Sequence, residues 1–160
     1  MQRDADTEEQ KMDELTYRSE LMSILRQQSA AAIQTLRSFD AVLPERARAV
    51  QIMVHPSQDP DGTFTVLIHL DGPELHALNK AIRGCRTLFE VRYVDGRLQP
   101  DVPLFDPFSL PFEVNDVIVD TATSWVEELW PAFGGTSRGL PAYACGEEHH
   151  GTRGTVQLTP

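Results

Sequence analysis

The chain has 160 residues, 41% hydrophobic and 24% charged, enough for one buried core and too apolar for disorder over most of its length. A formal net charge of -10 and a pI near 4.8 argue against nucleic-acid phosphates and anionic lipid as partners. Basic proteins, cations and neutral small molecules stay open.

Cys85 and Cys145 show no CxxC or paired spacing. No apolar h-region follows the N-terminus, and no apolar run approaches bilayer length. These features predict two free thiols, no transmembrane segment and a cytoplasmic location. The first 14 residues, MQRDADTEEQKMDE, carry six acids against two bases and predict a flexible acidic arm ahead of a single domain over residues 15–160.

From Leu15 to Phe39 the apolar residues Leu21, Leu25, Ala32, Leu36 and Phe39 fall on one stripe, which predicts a single long helix. Its narrow centre, SAAAI, suits close approach of another backbone, either the Trp-bearing helix further along or a second copy of the chain in a homodimer. Two alternating strands follow, Val50 to His55 and Phe64 to Leu70. For their apolar faces to coincide in an antiparallel pair, Val54 must lie opposite Phe64 or Val66. That places His55 opposite Thr65 and Gln51 opposite His69 on the other face.

A short helix from Pro73 to Gly84 should bury Leu75, Leu78 and Ile82. Phe89 to Tyr93 reads as a third strand. Asp95-Gly96 is the strongest hairpin signal, setting Leu98 opposite Tyr93 and Val102 opposite Phe89. The stretch VPLFDPFSLPF, with three prolines and three phenylalanines, cannot form a regular element.

Asn115 to Pro131 predicts the spine of the core. Ile118, Val119, Thr121, Ala122, Trp125, Val126, Leu129 and Trp130 fill half of the helix circumference; Asp116, Asp120, Ser124 and Glu127 fill the other half, with Glu128 at its edge. Asn115 is placed to cap the start, and Pro131 with Gly134-Gly135 to stop it. AYAC and TVQLT predict a last hairpin. The order implies an α+β fold, mainly an antiparallel sheet with one face covered by the long N-terminal helix and the Trp-bearing helix.

Three groups of residues could carry function. Asp116, Asp120, Glu127 and Glu128 form an acidic ridge suited to a cationic visitor, with a solvated helix face as the plain alternative. Phe105 and Phe108, with Phe112, are either interface anchors or plugs closing the core. Cys145, Glu147, His149 and His150 are chemically able to bind zinc, yet their spacing matches no zinc motif, and a site there needs a distant partner such as His55, His69 or His76. The sequence contains no GxSxG, HExxH, GxxxxGK[ST] or GxGxxG, and GGTSRG follows a helix rather than opening one, so no cofactor is implied.

The segments QSAAAIQTLRSF, HLDGPELHALNKAI and VPLFDPFSLPFEVNDVIVDTATSWVEELW resemble an uncharacterised family of small acidic bacterial proteins, a resemblance that implies no activity or catalytic residue. In general character such chains are also similar to toxin-neutralising immunity proteins. The resulting expectation is a non-enzymatic protein that masks a basic protein partner, as an immunity-type inhibitor would. The alternatives are a small-molecule or metal-assisted site built on the Cys145 to His150 cluster, and a structural homodimer.

Overall fold

A computed structural model describes residues 12–160. The helices are α1 (Glu14–Gln27), α2 (Ser29–Ala41), α3 (Leu75–Ala81) and α4 (Val114–Phe133). The strands are β1 (Ala49–Pro56), β2 (Phe64–Asp71), β3 (Thr87–Glu90), β4 (Arg92–Val94), β5 (Arg97–Gln99), β6 (Ala142–Gly146) and β7 (Val156–Leu158). Five strands form one sheet in the order β3-β2-β1-β6-β7, with β1 and β6 parallel and every other pair antiparallel. The fold is α+β, and helices cover one face of that sheet. Among the described residues no helix is long and apolar enough to cross a membrane.

The acidic arm expected over residues 1–14 lies mostly outside the described residues. Its last part is structured: Asp13 caps α1, its carboxylate accepting from the Thr16 amide at 2.7 Å. The single long helix expected from Leu15 to Phe39 is two helices. Gln28 breaks the ladder by donating its amide to the Leu25 carbonyl, and the Trp125 indole donates to Ser29 Oγ at 2.9 Å, which pins the start of α2 to α4. Of the two partners weighed for the Ala-rich segment, the Trp-bearing helix is engaged within the chain; Ala32 is buried there, while Ala30 and Ala31 face outward.

The β1–β2 pair has the register that alternation demands, with Val54 opposite Val66, His55 opposite Thr65 and Gln51 opposite His69. Its inward side chains Val50, Ile52, Val54, Val66, Ile68 and Leu70 are buried in the core; α4 lies along β1, β6 and β7, α1 packs against α4, and α2 packs on β3. Trp125 and Trp130 are fully buried there. Each large apolar side chain removed from water contributes roughly 1.5–3 kcal/mol, so this helix organises the core.

Its boundaries differ from the expected ones. The start is Val114, with no side-chain cap, and Asn115 lies inside, buried, donating from Nδ2 to the Ser57 carbonyl at 3.0 Å. Pro131 sits within the last turn instead of ending it, because Trp130 packed on Phe133 holds that turn in place, and Gly134 at φ 96 terminates the helix.

Three further differences concern the sheet. The expected third strand divides at Val91 into β3 and β4, and β4–β5 is a separate two-stranded ribbon. The ribbon keeps Tyr93 opposite Leu98, but the chain leaves it after Gln99, so Val102 does not pair with Phe89. In α3, Leu78 and Ile82 are buried as the stripe requires, whereas Leu75 is 53% exposed. The last hairpin is present as β6–β7, but β6 also inserts beside β1 in parallel, a pairing across 85 intervening residues that no local pattern announces.

Candidate functional site

The segment 102–112 is irregular, yet it is firmly seated. Val102 is buried at one end. Phe105 packs edge-on against Tyr17 with centroids 4.9 Å apart, and Phe112 lies 5.5 Å from Tyr17 and 5.6 Å from Phe105. The Phe105 amide donates to the Asp61 carbonyl, and a Cβ on Gly62 would stand 2.5 Å from the Pro103 carbonyl oxygen, so glycine there lets the loop close onto the β1–β2 connection. Burial, with Asp61 adding to it, pushes the Tyr17 phenol above its ordinary pKa, which keeps it neutral beneath the two rings.

The tip of this loop is a turn built by Asp106. Its carboxylate accepts from the Phe108 amide at 3.0 Å and its carbonyl from the Ser109 amide at 3.0 Å. Phe108 stands on that turn 98% exposed. The three phenylalanines therefore divide: Phe105 and Phe112 close the core, and Phe108 projects from it.

No Lys, Arg or His occurs between Arg97 and Arg138, and seven acids do. Four of the seven are the expected ridge, and the expectation of an outward anionic face is corrected at Asp120, which is buried, while the other three are partly or fully exposed and paired. Asp120 is 6% exposed and accepts from the Thr152 amide at 2.8 Å and from Thr152 Oγ1 at 2.7 Å. Asp116 accepts from the Gly151 amide at 2.8 Å and lies 3.8 Å from His150 Nδ1. Glu127 is paired with Arg153. Glu128 is held by both Nε and Nη2 of Arg26, and these bonds lower its carboxyl below the usual range.

The physical reason is the loop between β6 and β7. It lies across α4 so closely that a Cβ on Gly146 or Gly151 would stand 2.6 Å from Val119 Cγ1, and its amides need acceptors there. Carboxylates one helical turn apart supply them. The exposed acids are Asp101, Asp106 and Glu113, which flank Phe108 in the chain, and Glu128, which is held by Arg26.

The expected metal candidates do not converge. Cys145 lies on the open face of β6, its thiol pKa raised by burial; His149 is exposed, and His150 turns toward Asp116. Among the described residues no three of His, Cys, Asp or Glu are placed to hold one ion. Glu147 reaches one of the distant histidines, its Oε2 lying 3.0 Å from His55 Nδ1. His55 Nε2 in turn lies 3.1 Å from His69 Nε2.

Arg86 Nη2 is 3.2 Å and 3.5 Å from the two ring nitrogens of His69, nearly equidistant, which puts it over the ring rather than along an in-plane lone pair. Burial first, then Arg86 and His55, lower the His69 pKa to about 4 against the opposing pull of Glu147. The β1–β2 register made the shared face of the two histidines legible in sequence, but not the meeting of their rings. Arg86 and Glu147 were not, because they reach it from segments whose register is set elsewhere in the sheet.

The family of unknown function DUF6389 matches residues 12–160. The chain belongs to that family. As a DUF6389 member it shares a domain that runs from the start of α1 through β7. Compared with curated proteins and with solved structures, the chain matches none.

Proposed function

We propose that this DUF6389 protein is a non-enzymatic binding protein that masks a partner protein with a basic surface, using the Phe108 loop as its anchor. The observation that carries this reading is Phe108 itself, almost wholly exposed on a loop otherwise fixed by Phe105, Phe112 and Asp106. A rigid aromatic held in water costs little entropy to bury, and such residues dominate interface energies. The exposed Asp101, Asp106 and Glu113 that flank it in the chain, with no basic residue between Arg97 and Arg138, select a cationic surface and speed its approach. An immunity-type inhibitor of a basic toxin has this form. In such a role the protein works in the cytoplasm, where Cys85 and Cys145 stay as the free thiols seen here.

The contact surface thus moves from the ridge of α4 to the loop that precedes it. The test is quantitative binding of an identified basic partner to the wild-type chain and to F108A. F108A should weaken binding by about tenfold or more, roughly 1.4 kcal/mol, and the association rate should fall as salt rises. Equal affinity of F108A and wild type would refute the reading.

A further inference from the structure

Four polar groups on the open sheet face form a chain of contacts, each on or at the end of one of four neighbouring strands. Arg86 immediately precedes β3, His69 is on β2, His55 on β1, and Glu147 immediately follows β6. Because His55 lies opposite Thr65 and His69 opposite Gln51, the two histidines start four residues apart, about 13 Å along the strands. Their Nε2 atoms nevertheless meet at 3.1 Å, so both rings lean toward each other across the Met53–Leu67 pair that the register puts between them.

A carboxylate only accepts hydrogen bonds, so the His55 Nδ1 facing Glu147 carries the ring proton and Nε2 presents its lone pair toward His69. That arrangement can share one proton between the rings, and it can equally chelate. With metal–nitrogen bonds of about 2.0–2.1 Å, two nitrogens stand about 3.3 Å apart on a tetrahedral edge and about 2.9 Å apart on a square-planar one. The observed separation lies between them. The carboxylate behind His55 is the partner that metal-bound imidazoles ordinarily have.

We propose that His55 and His69 form a two-nitrogen site for a borderline first-row transition-metal ion, Zn2+ or Cu2+, with Glu147 as the outer carboxylate that orients His55. Imidazole donors without an oxygen cage do not suit Mg2+ or Ca2+. The absence of a third protein ligand among the described residues leaves the remaining coordination positions to water, so the ion is exchangeable. The net charge of -10 draws cations to the protein, while Arg86 over His69 opposes one at this spot. That opposition separates a cation site from an anion site, in which Arg86 would be the principal reader.

The experiment is calorimetric titration of the full chain, prepared without a histidine tag, with ZnCl2 and separately with CuSO4 at neutral pH. One ion per chain is expected. H55A and H69A should each weaken binding by about tenfold or more, E147Q by about 10–100-fold, and R86Q should strengthen it. The melting temperature should rise with the ion in wild type and not in H55Q, a variant checked for native circular dichroism. Wild type showing no saturable binding overturns the proposal. So does binding that survives H69A and is lost when His149 and His150 are both replaced by alanine, or a weakening on R86Q.

Discussion

The ridge of α4 and the loop that leads into it share one acidic stretch of sequence, yet the fold uses them in opposite ways. On the helix, Asp116 and Asp120 turn their charge toward the amides of the 147–152 segment and staple it down. On the loop, Asp106 spends its carboxylate on a local turn whose effect is to hold Phe108 out. A carboxylate on an exposed-looking face is thus an internal fastener wherever a neighbouring segment brings unpaired amides to it. An aromatic on a proline-rich loop is an anchor only when its neighbours already fill the core beneath.

The sharpest way to break this comparison is D120A. It removes two charge-assisted bonds between the buried Asp120 and Thr152, so urea unfolding should show a loss of about 1.5–3 kcal/mol. A loss under 0.5 kcal/mol, on the scale of about that size typical of free surface residues, would return Asp120 to the surface. F112A comes next, at about 1–3 kcal/mol, because Phe112 is half-buried against Tyr17 and Phe105.

The third effect is on pH. His69 has its pKa lowered to about 4, so the unfolded chain takes up a proton below about 6.5 that the folded chain refuses. Stability should be level above that pH and fall as acid is added through the window down to about 4, by less than the full shift implies because the ring is only partly buried. The fall should shrink in H69Q. The smallest effect is F108A, whose unfolding free energy should stay within about 0.5 kcal/mol of wild type while its partner affinity drops.

What could be read from the sequence was whatever a single period or turn decides. Alternation in Val50–His55 and Phe64–Leu70 decided the register that brings His55 and His69 to one face, and Asp95-Gly96 decided the Tyr93–Leu98 pairing. The Trp125 and Trp130 stripe correctly marked the spine of the core. The orientation of the polar half of α4 was not legible, because helical geometry says which residues share a side and nothing about what lies over it. The same limit hid the partnership of Glu147 with His55. It depends on β6 entering the sheet beside β1, with Val54 level with Gly146, and that register is set by distant packing.

The central position of β1 has a consequence for how the chain is made. One flank of that strand is covered by β2 within a few residues of synthesis, but the other waits for Ala142–Gly146. Until the ribosome has released the chain through β6, β1 offers a row of unclaimed amides and carbonyls to any passing strand. Nascent chains stopped before Ala142 should accordingly be the aggregation-prone species, and chaperone demand should drop sharply once β6 emerges.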